Sequence, residues 1–260
     1  MFKAEDFEII DMHVHPIETA AQSISRFGSV KDADDFDAEM RRAGVSQYAG
    51  SVLQKGDPDD FKWIAHLNRI ALRLRDRFPR YIPGIHVHGK FVEESCAELH
   101  AMKAEGVKLV GELVPYYLGT GAFDTPGMLT LFHEMAKLGM IANLHHVSRE
   151  EAEILVREVP EMTFIFAHPG EAGAEWGVDQ RMQFVAEHEN IYMDISGTGL
   201  FRWDFISHFV EVCGAEKILF GSDMPVCNVG MNLYGTLFSR INREAMQLIL
   251  AGNFKRIMGM

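Results

Sequence analysis

Two histidines one residue apart, His13 and His15, follow a short apolar run from Phe7 to Ile10 and precede Pro16. If that run is a strand, alternation sets both imidazoles on one face, about 7 Å apart along the chain. Two neutral imidazoles so placed can ligate one divalent cation, at roughly 2.0–2.1 Å each. The pair alone decides nothing, because two histidines on a half-exposed strand look the same. Recurrence gives it weight. Glu112, then His145 or His146, then His168, then Asp223 each stand at or just past the end of a later strand-like segment. Imidazole and carboxylate together suit zinc, iron or manganese. His66, His100, His133, His188 and His208 fall instead on helix-like segments and read as solvated or half-buried.

The elements that must position these groups alternate between strand-like and helix-like with a spacing of about 30 residues, as parallel βαβ units require. After the first strand comes a polar loop from Glu18 to Ala33, long enough to be functional. A helix from Asp34 to Arg42 follows, stopped at Ala43-Gly44. The second strand spans Ser46 to Leu53 and its helix Pro58 to Phe78; the third spans Tyr81 to His88 and its helix Val92 to Glu105. The fourth strand is Val107 to Val114, ended by Pro115, with a loop before a helix from Thr125 to Leu138. The fifth is Met140 to His146, after which Ser148 is placed to cap a helix from Arg149 to Glu158. Thr163 to His168, Asn190 to Ser196 and Lys217 to Ser222 read as strands six to eight, and Ile241 to Ala251 as the last helix. Eight such units without a linker predict a single (β/α)8 barrel over residues 1–260, a length close to the ~250 residues typical of that fold. In such barrels the carboxyl ends of the strands build the active site, and every candidate ligand stands there.

At 47% hydrophobic and 24% charged residues the chain has ample material for a core. A net charge of -12 argues against a general nucleic-acid or membrane surface. No apolar run reaches the ~18–20 residues of a membrane span. The opening residues lead straight into the first strand, which leaves no room for a signal peptide and predicts a cytoplasmic protein. Cys96, Cys213 and Cys227 form no framework of spaced pairs, in keeping with a reducing compartment. The expected partner is a small-molecule substrate, with a homo-oligomer open.

At these same residues the chain resembles the metal-dependent amidohydrolase superfamily, most closely its amidohydrolase-2 branch. The resemblance runs nearly the whole length. It is carried by Asp11-Met12-His13-Val14-His15, by the stretch from Leu138 to His145, by Ala167-His168-Pro169-Gly170, and by the stretch from Leu219 to Pro225. The ending from Ile249 to Ile257 is also similar. It implies a (β/α)8 barrel, one or two divalent metals, and hydrolysis or, in some relatives, non-oxidative decarboxylation. Carried over, His13 and His15 match the first metal ligands, His145 the strand-five ligand, His168 the strand-six histidine and Asp223 the strand-eight aspartate. Strand four departs from the pattern. Many relatives have a lysine near there; Lys108 is available but four residues upstream of Glu112, on the same face and deeper in the barrel. Val110-Gly111-Glu112 is similar instead to the glycine-glutamate of TatD-type nucleases, whose glutamate bridges two metals, although the threonine those enzymes carry between the strand-eight acid and proline is replaced by Met224.

The expected reaction is hydrolysis of an amide or ester by a metal-activated water, with zinc the expected metal and manganese or iron open. Asp223 is the expected general base, and His168 either a ligand of a second metal or a donor to the substrate carbonyl. Decarboxylation and a TatD-like phosphoesterase activity are the competing readings, and a catalytically idle barrel that serves as a binding partner is a third. For substrate contacts the sequence offers His86, which with His88 repeats the His-x-His pattern on strand three, and the loop residues Arg26, Tyr116, Tyr117, Arg202 and Trp203. Of these His86, Tyr117 and Arg202 are singled out, an arginine because its fork matches a carboxylate. Asp194 and Ser196 are expected to support strand seven and its neighbours.

Overall fold

The computed structural model describes residues 2–170, 176–197 and 202–260. Eight strands lie in sequence order in one parallel sheet: β1 (Ile10–Asp11), β2 (Gln47–Ser51), β3 (Tyr81–Ile85), β4 (Leu109–Leu113), β5 (Ile141–His145), β6 (Thr163–Ala167), β7 (Ile191–Asp194) and β8 (Ile218–Leu219). Residues just past β1 and β8 bond to each other. Met12 N donates to Phe220 O at 2.9 Å, Asp223 N to His13 O at 2.8 Å and His15 N to Met224 O at 2.7 Å. The last strand thus returns to the first, and the fold is the expected (β/α)8 barrel.

The helices are α1 (Ala33–Ala43), α2 (Phe61–Arg77), α3 (Val92–Ala104), α4 (Pro115–Leu118), α5 (Pro126–Lys137), α6 (Arg149–Glu158), α7 (Val178–Glu187), α8 (Phe205–Cys213), α9 (Val229–Leu237), α10 (Arg243–Gln247) and α11 (Asn253–Met258). Ser148 does cap α6: its hydroxyl accepts from Glu151 N while Glu151 Oε2 accepts from Ser148 N. Three differences from the sequence reading have plain causes. The first strand shifts from Phe7–Ile10 to Ile10–Asp11, where the ladder to β2 pairs Ile10 with Gln47 and Asp11 with Tyr48. The stretch after β4 is not all loop, since Pro115 at the first helical position starts the short α4 and left-handed Gly119 ends it. The last helix is broken by a π turn at Leu248–Gly252.

A parallel sheet covered by helices is buried on both faces, so its strands read as apolar runs. On the outer face Tyr48, Val110 and Phe164 pack against helical residues such as Phe36, Leu67 and Phe132. Inside, Ile10, Ala49, Leu109, Ile141, Ile165, Tyr192 and Leu219 form a separate cluster with Phe254 of α11. One residue from each of seven strands thus fills the amino-terminal half of the barrel, and the polar residues lie beyond it. Among the described residues no helix is long and apolar enough to cross a membrane.

Candidate metal centre

Glu112 stands at the centre of the carboxyl-terminal end of the barrel, and each of its oxygens serves a different pair of histidines. Oε2 lies 3.2 Å from His13 Nε2 and 3.3 Å from His15 Nε2. Oε1 lies 2.5 Å from His145 Nδ1 and 3.3 Å from His168 Nε2. Asp223 Oδ1 joins the first pair, 3.5 Å from His15 Nε2 and 3.9 Å from His13 Nε2. Six residues from five stretches of chain therefore meet, and all but half-buried His168 are buried.

Simple alternation does not bring Glu112 here. Leu109 faces the barrel interior, so Glu112 three residues on belongs to the outer face. The pairing of β4 with β5 shifts between Val110 and Leu113, and Gly111 at φ 104 makes the turn. A Cβ on Gly111 would sit 2.3 Å from Asn143 O, so only glycine fits. The sequence reading that Lys108 and Glu112 share a face is corrected by this irregularity. Lys108 instead donates to Ile257 O and Met258 O, beside the last helix. His168 and Asp223 also leave the strand pattern, at φ 63 and 65, a conformation rare for residues with a Cβ and concentrated at functional sites.

Neighbouring groups fix the imidazoles. His13 Nδ1 bonds Asp194 Oδ2 at 2.8 Å, and His15 Nδ1 donates to Ser51 O at 3.0 Å, which leaves both Nε2 atoms facing Glu112. Ser196 Oγ lies 2.9 Å from His168 Nδ1. The support expected of Asp194 and Ser196 is thus directed at two of the histidines. Tyr116 Oη meets His145 Nε2 at 3.0 Å and leaves Nδ1 toward Glu112.

Electrostatics tie the cluster together. Burial would raise the Glu112 carboxyl, but His13, His145 and His15 outweigh it and hold Glu112 well below the usual carboxylate range. Burial likewise opposes the charged form of His15, yet its bonds to Asp223 and Glu112 raise it to about 9. Glu112 and Asp194 raise His13, and Glu112 raises His168, in both cases against burial. Asp11, buried, is pushed up to about 7 despite accepting from Ser222 N and His13 N. Anionic oxygens thus draw positive charge onto imidazoles that burial alone would leave neutral.

A divalent cation fits this donor set. Among the described residues His13 Nε2 is buried without a hydrogen-bond partner, with Glu112 Oε2 3.2 Å away. The ligand atoms of His13, His15 and Asp223 lie within 4.8 Å of one another, and so do those of His13, Glu112 and His168. Nitrogen and carboxylate donors of this kind suit zinc or manganese.

A cavity of about 490 Å³ opens onto the cluster, lined among others by Tyr116, His145, His146, His168, Trp176, Arg181 and Asp223. Arg26 and Cys227 stand at its wall as well. The other sequence candidates lie elsewhere. His86 is buried behind His15, its Nε2 2.9 Å from Val52 O, and burial lowers it to about 4. Tyr117 packs against the apolar core while Tyr116 takes the place beside the cavity. Arg202 is not among the lining residues. Sequence reasoning overlooked Trp176, just before α7, and Arg181, in its first turns, which reach the cavity with no local motif to mark them.

A parallel eight-stranded barrel with this His-x-His, glutamate, two-histidine and aspartate set at its carboxyl end defines a barrel of the amidohydrolase type. The chain belongs to the Amidohydro_2 (amidohydrolase) family, which matches residues 10–256. None of the curated proteins matches the sequence. Similar solved structures include 5-carboxyvanillate decarboxylase of Novosphingobium aromaticivorans complexed with manganese and 4-hydroxy-3-methoxy-5-nitrobenzoic acid. It is 13% identical, with a TM-score of 0.72 over 98% of this chain and 96% of that one. The 2,6-dihydroxybenzoate decarboxylase of Rhizobium is 17% identical, with a TM-score of 0.72 over 97% and 99%. A probable 2-pyrone-4,6-dicarboxylic acid hydrolase of Acinetobacter baumannii, with citric acid bound, is 17% identical, with a TM-score of 0.71 over 98% and 100%. At these identities the likeness is one of fold.

Proposed function

We propose that the protein is a metal-dependent hydrolase of small-molecule esters or amides, with two divalent cations held on either side of Glu112. The observation that carries this reading is the division of labour at Glu112, Oε2 facing His13 and His15 and Oε1 facing His145 and His168. Two cations ~3.5–4 Å apart repel each other and need a shared anion between them. His13, His15 and Asp223 would hold one cation, His145 and His168 the other, and zinc or manganese suits both. This is the role that the TatD-like Gly111-Glu112 implies, here without a nucleic-acid substrate.

Bound cations supply Lewis acidity toward a carbonyl oxygen and make water acidic enough to lose a proton near neutrality. The residues supply the rest. Asp223 lines the cavity and is positioned to take a proton from the attacking water and pass it to the leaving nitrogen or oxygen as the C–N or C–O bond breaks. Asp194 and Ser196 keep His13 and His168 in place, and Tyr116 does so for His145.

The test is metal stoichiometry after exhaustive dialysis and reloading, in wild type and Glu112→Ala. Two equivalents falling to one or none support the bridge; one equivalent, unchanged in the variant, removes it. Decarboxylation is the second reading, favoured by the two decarboxylases among the similar structures. Screening the loaded protein on esters, amides and aromatic acids separates the two: carbon dioxide in proportion to turnover overturns hydrolysis.

A further inference from the structure

One surface helix departs from the rule that the others keep. No charged residue occurs from Met224 to Ser239, a stretch that contains all of α9. Among the described residues every other helix of this length or longer carries at least one charged side chain. Met231, Tyr234 and Gly235 of α9 and Phe238, its C-cap, are spaced to share one helix face, and all four are exposed. A groove of about 690 Å³ between α9 and α1 extends this face, lined by Phe27 and Val226 together with Tyr234. Among the described residues eight large hydrophobic side chains are exposed, and five of them, Phe27, Val226, Met231, Tyr234 and Phe238, gather here.

Apolar side chains scattered singly over a surface need no explanation, but a contiguous group does. At roughly 200 Å² for a fully exposed large side chain, with Phe27 at 101% and the other four at 46–60%, the five present on the order of 600 Å². A stable interface takes about 800 Å² from each partner. The edges of the patch carry charges that are already paired, Arg42 with Glu39 on the α1 side and Arg240 with Asp204 past Phe238. An apolar centre inside a neutralised polar rim is the composition of a protein–protein contact. Three features single out a second copy of this chain as the occupant. The net charge of -12 makes two copies repel wherever their charged faces meet, and α9 brings no charge to the contact. The exposed face is also symmetric about Tyr234-Gly235, with Met231 a turn before and Phe238 a turn after. Laid antiparallel across a two-fold axis at that point, each Met231 meets a Phe238 of the other copy, as an isologous contact requires. Finally, Gly235 in mid-helix weakens α9, and a Cβ there would meet no other part of the chain within 4 Å. Its bare backbone lets a facing helix approach closely at the crossing point.

We propose that the protein pairs with a second copy of itself through α9, in a two-fold symmetric dimer with Met231 packed on Phe238 of the partner subunit. Phe27 and Val226 flank the contact. Val226 and Cys227 line both the groove and the catalytic cavity, so the pairing also holds one wall of that cavity. Neither the metals nor the reaction enters into the pairing.

Sedimentation velocity over protein concentrations from about 1 to 100 μM reads the association state directly. Wild type is expected at twice the chain mass of 29.3 kDa. Met231→Lys and Phe238→Glu each set a charge into the apolar contact and should weaken association about tenfold or more, toward monomer. Both positions are exposed, so each variant keeps the fold, checked by circular dichroism. The two substitutions together in one chain bring opposite charges against each other on both sides of the axis and should restore the dimer. Ala101→Lys, at an exposed position of α3, is the control and should leave the dimer intact. A wild type that stays monomeric throughout overturns the pairing and leaves the face to a different protein. A dimer that survives both single substitutions lies on another surface and overturns it as well. Monomeric single variants with no recovery in the double variant overturn the antiparallel packing of α9 on its copy.

Discussion

The two ends of the barrel interior are built from the same strands and obey opposite rules. At the amino end Leu109, Ile141, Ile165 and Leu219 interlock with Phe254 and expose almost nothing. A few residues further along those strands, Glu112, His145, His168 and Asp223 crowd into an equally buried space with His13 and His15. Apolar filling at the first end stabilises by excluding water, at roughly 25 cal/mol per Å². The second end gains little that way, because charged groups lose their hydration there and must compensate one another. A chain selected for stability alone would continue the apolar layers. The polar end makes sense as a place to hold something, and a divalent cation fits what it offers.

The comparison breaks if one end takes over the other's role, and the largest expected effect tests that at the polar end. Asp223→Asn keeps the shape of the side chain and removes its basicity. Turnover of a substrate found by the screen should fall on the order of 10²–10⁴-fold, the usual contribution of a positioned base. Thermal melting of the loaded protein should stay within a few degrees of wild type. Near-wild-type turnover would take Asp223 out of the proton transfer.

The reverse pattern is expected at the apolar end. Leu109 is fully buried in the interior cluster, and Leu109→Ala leaves a cavity there. Denaturant unfolding should show a loss of about 2–5 kcal/mol. Metal content and turnover of the folded fraction should be unchanged. Loss of metal on this substitution would mean that the two ends are mechanically one.

How much of this was readable in the chain follows the same division. The apolar end follows from recurrence: apolar strand-like runs, alternating with helix-like segments about every 30 residues, dictate a parallel barrel and nearly its order. His13, His15, His145, His168 and Asp223 were readable as strand-end residues, because position along a strand is a one-dimensional property. Their facing was not. Glu112 turns inward through a pairing shift at Gly111, and His168 and Asp223 do so through a left-handed backbone. These departures break the period that sequence reading relies on. The choice of Tyr117 over Tyr116 failed to anticipate a short helix whose first turn aims only one of two adjacent rings at the cavity. Arg181 was invisible for a different reason, since it lies thirteen positions past His168 and only the packing of Trp176 on it brings it back.

The smallest effect concerns protons, and it sharpens the comparison most. In metal-free protein, positive charge on the imidazoles offsets the buried carboxylates. His15 is raised from 6.5 to about 9, against burial, by its bonds to Asp223 and Glu112, and His13 and His168 move in the same direction. A group raised on folding contributes its full stabilisation below its unfolded pKa and loses it as pH climbs through the folded one. The metal-free protein should therefore melt progressively lower between about pH 6.5 and 9. In the loaded protein cations take the place of those protons, so that decline should be nearly absent. Loading metal at pH 7 should also release protons to the buffer, because the ligating imidazoles bind in their neutral form. Melting curves of both forms across pH 6–10, with proton release measured in two buffers of different ionisation enthalpy, check this directly. Parallel declines in the two forms, with no protons released, would show that the histidines are not what the cations displace, and the polar end would have to hold them by some other set of atoms.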